Sequence, residues 1–207
     1  MLIPLQALVA KYQMAISGIL HVGAHECEER GAYSDVGVRT ADVYWVEAQP
    51  AKVEYCKQHF DVNIFQGVID EADGFMVPFH VTNNGQSSSI LPLGTHARNH
   101  PEVGVVGVMT LETSRLETLI EREGIPMHKI NFINLDIQGV ELRALKSMEK
   151  YLRHIQYIYT EVNSEQVYKG CDLIGDLDAY LLGFGFHRAE TKFWGNCGWG
   201  DAFYIKL

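Results

Sequence analysis

The sequence predicts an α/β fold in which a mainly parallel sheet is covered by helices on both faces and finished by an antiparallel C-terminal pair of strands. Three observations predict it. Short apolar runs alternate with stretches of helical spacing along the chain, the pattern of strand–helix–strand units with right-handed crossovers. Successive runs end in a glycine or an acid, at Gly23, Glu47, Asp70 and Asp136, so the carboxyl edge of such a sheet would carry them together. The last two extended stretches flank one short glycine- and tryptophan-containing loop, Phe193–Gly200, which suits a hairpin.

Taken in order, Leu5, Leu8, Val9 and Tyr12 have helical spacing and predict a leading amphipathic helix within 4–15. A buried strand follows at about 18–22, then a helix or loop through Glu26–Arg30. The second strand is 42–47, and Pro50 suits the first turn of a helix running to Phe60. Asn63–Gln66 reads as a third strand, leading through Gly67–Asp70 to a turn at Ala72–Gly74. The pattern then changes. Phe75–Val81 is extended with Pro78 marking an edge, Thr82–Ser89 is a polar loop, and Val105–Leu111 suits another short strand. Alternation resumes with a helix at Leu116–Glu123, a strand at Ile130–Leu135, and an amphipathic helix from Gly139 bearing Leu142, Leu145, Met148 and Leu152. Tyr157–Thr160 is the next strand, a helix follows at 173–182, and the final strands are Phe184–Glu190 and Ala202–Leu207.

At 207 residues, with 47% hydrophobic and 21% charged side chains, the chain suits a single domain, 1–207, with a leading helix at 1–17 and an insertion near 75–112. The net charge of −9 argues against nucleic acid as a partner, because backbone binding needs clustered Lys and Arg. The four cysteines are widely spaced without a C-x-x-C pair, as in a reducing compartment. The apolar start, Leu2–Val9, lacks the basic flank and small-residue cleavage site of a signal peptide, and no later window is long enough to span a membrane. A cytoplasmic protein is the expectation.

The site reading begins where the apolar run Ile16–Val22 breaks at Gly23-Ala24 and turns polar. Strand, small-residue turn and helix start together form a seat for a nucleotide cofactor. Glu47, 24 residues beyond Gly23, ends the next apolar run, where an acid accepts hydrogen bonds from ribose hydroxyls. The G-x-G-x-x-G fingerprint of dinucleotide enzymes is incomplete, with His25 and Cys27 standing where further glycines often sit. An acidic rim suits a ligand with hydroxyls and an amine better than one with several phosphates. That favours S-adenosylmethionine, and it disfavours a nicotinamide-dependent oxidoreductase.

Five segments carry a family resemblance: Leu20–His25, Trp45–Pro50, Asn84–Ser89, Arg115–Leu119 and Asn134–Leu142. In that order they resemble the FkbM-type methyltransferases over about 18–163, most specifically at Asp136-Ile-Gln-Gly-Val-Glu141, which is similar to the family's D-V-E-G-x-E block. His21, Gln138 and Glu117 stand where that family often has Asp, Glu and Asp. The resemblance implies a class I, Rossmann-like three-layer sandwich with a seven-stranded sheet whose last strand is antiparallel. It also implies S-adenosylmethionine as cofactor and O-methylation of a sugar-like or small-metabolite hydroxyl, a small molecule or glycan being the partner. A catalytically weak cofactor-binding module of the same fold is the alternative, motivated by His21 and Gln138.

On this reading Gly23 and Ala24 border the methionine end of the cofactor, Glu47 holds the ribose, and His25 and Ala48 are further cofactor contacts. Val68, Ile69 and Asp70 frame the adenine, against the plainer reading of Asp70 as turn chemistry. Asp136 is the candidate catalytic residue, holding the cofactor's ammonium, orienting the acceptor hydroxyl or acting as general base, with a histidine from the 80–100 insertion as the other candidate base and helix capping as the plainer role of Asp136. Ser88 is assigned to the cofactor, and Asn84, Ser87, Glu161 and Asn163 to the acceptor. His96 and His100 are four apart without a well-spaced third ligand, so no metal site is assigned. Trp194 and Trp199 suit either a stacking wall for a sugar ring or packing in an edge loop, and His21 reads as a hydrogen-bonded core residue.

Overall fold

The computed structural model describes all 207 residues. Along the chain run α1 (Leu5–Tyr12), β1 (Ile19–Val22), α2 (Arg30–Asp35), β2 (Val43–Glu47), α3 (Pro50–His59), β3 (Asn63–Gln66), β4 (Val68–Ile69), β5 (Met76–Thr82) and α4 (His96–Asn99). They continue as β6 (Val105–Ser114), α5 (Leu116–Glu123), β7 (Phe132–Leu135), α6 (Glu141–Ser147), β8 (Tyr157–Asn163), α7 (Ile174–Leu182), β9 (Phe186–Phe193) and β10 (Trp199–Lys206).

Seven strands form one sheet in the order β3-β2-β1-β7-β8-β10-β9. β1 pairs in parallel with β2 and β7, and β7 in parallel with β8, whereas β10 is antiparallel to both β8 and β9. The C-terminal hairpin is therefore present, but its second strand lies inside the sheet and only β9 forms the edge. Burial explains the order. Residues Gly200–Tyr204 of β10 are all buried, as a strand covered on both faces requires, while β9 leaves most of its side chains partly or fully exposed.

Side chains of the central strands alternate between two cores. Leu20 and Val22 of β1 join Leu116, Leu119 and Ile120 of α5 and Leu142 and Leu145 of α6 on one face. Ile19 joins Leu5 and Leu8 of α1, Tyr33 of α2 and Val53 and Cys56 of α3 on the other. Each buried leucine or isoleucine contributes roughly 1.5–3 kcal/mol through removal from water, so these two layers fix the sheet and hence the positions of its strand ends.

Several boundaries differ from the sequence expectation. The segment read as helix or loop through Glu26–Arg30 is a turn over residues 25–29, in which His25 and Cys27 take left-handed backbone angles (φ 43° and 56°), and the helix begins at Arg30. The helix expected from Gly139 begins at Glu141. β8 runs on to Asn163, so Glu161 and Asn163 belong to a strand and not to a loop after it. The 75–112 stretch is a ribbon of β5 and β6, joined by β4 in a second sheet of order β4-β6-β5. Pro78 lies on the edge strand β5, where its missing N–H costs no ladder bond.

Candidate active site

The carboxyl ends of β1, β2, β7 and β8 open into one cavity of about 390 Å³, within the usual range of roughly 300–1,000 Å³ for small-molecule sites. It starts at Gly23. Gly23 and Ala24 donate their N–H groups to the Val46 carbonyl, at 2.9 and 3.0 Å, and Asp136 donates its own to Val22 at 2.9 Å. These bonds draw the three strand ends so close that a Cβ on Gly23 would stand 1.8 Å from the Asp136 carbonyl oxygen. Gly23 also has φ +93°, so only glycine fits. His25 and Cys27 complete a left-handed, glycine-like turn without being glycine, which is why the fingerprint is incomplete in sequence yet present in conformation.

Glu47 ends β2 and is 5% exposed. Its carboxylate accepts the N–H of His25 and of Gln49, both at 2.8 Å, which ties the first turn to the start of α3. Burial pushes its proton affinity up against the pull of those two N–H groups. Each oxygen keeps a lone pair for a ligand hydroxyl. Ala48, Val68 and Ile69 line the cavity beside it and supply an apolar surface.

Four carboxylates converge at the far end. Glu161 on β8 and Asp201 on β10 face each other across the antiparallel ladder, a pairing that like charges disfavour. Asp136 follows β7, next to β8. The Gln138 side-chain amide donates to Asp136 Oδ1 and to Glu161 Oε2, the latter at 3.0 Å, while its carbonyl accepts the Tyr168 hydroxyl. Gln138 holds φ +59°, a strained angle for a non-glycine residue that these three partners maintain. Glu141 accepts the N–H groups of Ile137 and Gly139 at 3.0 and 3.1 Å, and so fastens the loop that presents Asp136 and Gln138.

Burial raises the proton affinity of Glu161 and Glu141, with Asp136 adding to both. Asp136 is accessible from the cavity, but the surrounding protein and the neighbouring Asp201 and Glu29 raise its affinity too. Asp201 accepts from the Tyr159 hydroxyl and the Leu2 N–H.

The polar loop after β5 is a built structure. Asn84 Oδ1 accepts the Thr82 hydroxyl (2.7 Å) and the Ser87 N–H (3.1 Å), and Ser88 Oγ donates to the Gly85 carbonyl (2.8 Å). The loop packs on the Gly23–Cys27 turn, since a Cβ on Gly85 would lie 2.8 Å from His25 Nε2, and Ser89 Oγ donates to the Gln138 carbonyl at 2.8 Å. On the other wall the Trp199 indole donates to His100 Nε2 at 3.1 Å, and His96 lies between His100 and Tyr168 with ring centroids 4.8 and 5.7 Å away.

The cavity brings together Gly23, His25, Glu47, Ala48, Val68, Ile69, Asn84, Ser87, Ser88, Asp136 and Glu161. Three expected residues lie outside its lining. Ala24 is 1% exposed and packs in the α1–α3 core, because its side chain leaves the turn on the far side from the cavity. Asp70 lies 3.5 Å from the Arg143 guanidinium, outside the lining. Asn163 is 1% exposed on β8, opposite Trp199. Of the two expected Trp residues only Trp199 lines the site; Trp194 stacks on it from outside. His21 does bond within the core, Nδ1 lying 2.9 Å from the Tyr33 hydroxyl. Asp201 and Tyr168 were not foreseen. An acid opening the otherwise apolar run Asp201–Ile205 was the available signal, but its partner depends on the register of β10 against β8.

Residues 21–188 match the model of the methyltransferase FkbM domain. The chain belongs to that family. Its curated relatives include the 2-O-methyltransferase NoeI of Sinorhizobium fredii, 23% identical over 163 residues covering 73% of this chain and 65% of that protein. The hexuronic acid methyltransferase AglP of Haloferax volcanii is 27% identical over 97 residues, 46% of this chain and 40% of that protein. The chain thus matches less than two thirds of the length of either relative. Among solved structures, methyltransferase FkbM from Methylobacillus flagellatus superposes with a TM-score of 0.56 at 13% identity, over 91% of this chain and 43% of that one. Magnesium protoporphyrin IX methyltransferase from Synechocystis, with bound S-adenosylmethionine, gives 0.52 at 9% identity over 98% and 76%. The fold is that of class I methyltransferases, and S-adenosylmethionine is the cofactor. The residues present fit it: a glycine cradle with no room for a Cβ, a buried strand-end carboxylate for the ribose, and apolar side chains beside it. No helix is long and apolar enough to cross a membrane.

Proposed function

We propose that the chain is an O-methyltransferase that moves a methyl group from S-adenosylmethionine to a hydroxyl of a sugar-like or small-metabolite acceptor. The observation that carries this reading is Glu47, a buried carboxylate held by the His25 and Gln49 N–H groups beside the Gly23 cradle, at one end of a cavity whose other end is lined by acids. From β2 to β8 is three strand spacings, about 14 Å, so a nucleoside anchored at Glu47 leaves the β8–β10 end free for an acceptor.

The cofactor supplies an electrophilic methyl on a sulfonium. The chain aligns the acceptor oxygen with it and excludes water, which is the larger part of the catalysis for an already activated donor. As the oxygen–carbon bond forms, the carbon–sulfur bond breaks and its electron pair stays on sulfur. Asp136 accepts the hydroxyl proton, and its raised proton affinity brings it nearer the value a general base needs. Asn84 and Ser87 on the loop, and Glu161 on β8, orient the acceptor, and the 75–112 ribbon carries the loop over it.

Calorimetric titration with S-adenosylmethionine and S-adenosylhomocysteine, on the native chain and on Glu47→Ala, tests the cofactor half. Micromolar binding that weakens by about a hundredfold in the variant is expected, from loss of two charge-assisted ribose bonds. A folded native chain that binds neither compound would sink the reading. Labelled-methyl transfer to hydroxylated acceptors tests the other half.

A further inference from the structure

We propose that the acceptor end of this cavity selects a hydroxylated acceptor that is uncharged or carries an amine, and turns away acceptors bearing a carboxylate or phosphate. The inference rests on the methyltransferase reading and specifies its substrate class.

No Lys or Arg side chain lines the cavity, while Glu28, Glu29, Glu47, Glu102, Asp136, Glu161 and Asp201 all do. The remaining formal cation, the Met1 α-amine, lies 3.9 Å from Glu29. Proteins that bind carboxylates or phosphates use guanidinium forks or ammonium groups for it. Here the nearby basic side chains are engaged outside the lining: Lys52 with Glu26, Arg143 with Asp70, Arg98 with Glu165.

Two unpartnered atoms add a separate indication of what the site takes. Glu161 is 7% exposed, its Oε2 receives the Gln138 amide, and its Oε1 is buried without a hydrogen-bond partner in the protein. Once ionised, that oxygen only accepts, and the group that satisfies it then carries an N–H or O–H. His96, 6% exposed on the same wall, leaves Nδ1 unpartnered. Burial holds its imidazole toward the neutral form, so it does not supply a compensating positive charge. Trp199, whose N–H is committed to His100, contributes only its ring to the lining. A hydroxyl- or amine-bearing ring satisfies all of these. An anionic group placed among Asp136, Glu161 and Asp201 finds no Lys or Arg to pair with, and every one of these acids that is ionised repels it in a partly enclosed space where solvent screens weakly.

Two experiments test this. The first needs no ligand: in Trp194→Phe protein, quenching of Trp199 fluorescence is measured with caesium and iodide, each normalised to free tryptophan amide. Trp45, 1% exposed, is shielded from both ions. Caesium is expected to be several-fold the better quencher, with the preference reduced in Glu161→Gln. Iodide quenching equal to or above that of caesium overturns the proposal. The second compares labelled-methyl transfer among glycosides sharing one ring and differing only at one carbon, as hydroxymethyl, aminomethyl or carboxylate. Transfer to the first two is expected to exceed the third by about tenfold or more. Equal or faster transfer to the carboxylate overturns the proposal. A native chain that shows the caesium preference but binds no S-adenosylmethionine would break the methyltransferase reading and leave the charge of the cavity established.

Discussion

Gly23 shows how little freedom a single residue has at this site. A Cβ there meets the Asp136 carbonyl oxygen, a backbone atom that cannot step aside without separating β1 from β7. Gly23→Ala is expected to cost about 3 kcal/mol or more, read as a shift in the urea unfolding midpoint at constant slope. Gln138 is constrained by chemistry instead of space. Its amide nitrogen donates to two carboxylates at once, something a glutamate could do for at most one of them, and only when protonated. Gln138→Glu is therefore expected to lose about 1–3 kcal/mol of stability above neutral pH and to recover part of it in acid, measured by denaturation at two pH values. A loss that is independent of pH would mean that shape, not the donated hydrogen bonds, matters there.

At the scale of elements, the site depends on how loops are fastened to strand ends. The loop between β7 and α6 is held from its helix side by Glu141, whose buried carboxylate accepts two N–H groups. An acid in the first turn of a helix has a ready explanation in the helix dipole, but here the carboxylate folds back onto the loop. Glu141→Ala leaves those donors unsatisfied, at a cost of about 2 kcal/mol, and loosens the segment presenting Asp136. The expected result is weaker S-adenosylmethionine binding by calorimetry together with a lower melting temperature, both partly restored in Glu141→Gln. Unchanged affinity in a destabilised protein would separate the loop from the cofactor. The Ser89 bond to the Gln138 carbonyl joins this loop to the ribbon, so the two sides of the cavity are set by each other.

For the whole molecule, the concentration of acids at one sheet edge gives stability a definite dependence on pH. Glu47, Glu141 and Glu161 have proton affinities raised by burial in the folded chain, while in the unfolded chain they titrate near the ordinary carboxylate value of about 4. Between those values the folded state binds more protons, so this contribution is fully present below the unfolded values and is lost as pH rises through the folded ones. His21 and His96 act oppositely, since burial lowers their affinities and their contribution is lost as pH falls through the folded values. The histidine contribution is complete above the ordinary imidazole value, about 6.5, leaving the carboxylates to act. Toward pH 9 they are joined by the buried thiols of Cys27, Cys56 and Cys171, whose proton affinities burial raises and which act with the same sign. The melting temperature of the ligand-free protein is therefore expected to fall from about pH 7 to about pH 9, and a flat or rising profile would contradict the assignment. Methylated-donor binding should narrow the fall, because the cofactor brings positive charge into the same cavity.

The alternation of apolar runs, the strand ends at Gly23, Glu47 and Asp136, and the segments matching the family were all legible in the sequence, because each depends on residues close together in the chain. So was the antiparallel pair at the C-terminus, announced by a single short loop. The sequence did not reveal that β10 enters the sheet between β8 and β9, since that choice is made by burial on two faces at once. With that insertion Asp201 comes opposite Glu161, and an acid with no local motif joins the site. Asp70, whose place after a strand suggested a ligand contact, lies outside the cavity lining and 3.5 Å from the Arg143 guanidinium of a helix far along the chain. Strand periodicity and one turn were enough to read the fold class and the end of the cavity built from Gly23 and Glu47. The β8–β10 end came from the three-dimensional arrangement, because its acids and its unpartnered atoms arise from register and from contacts between residues far apart in the chain.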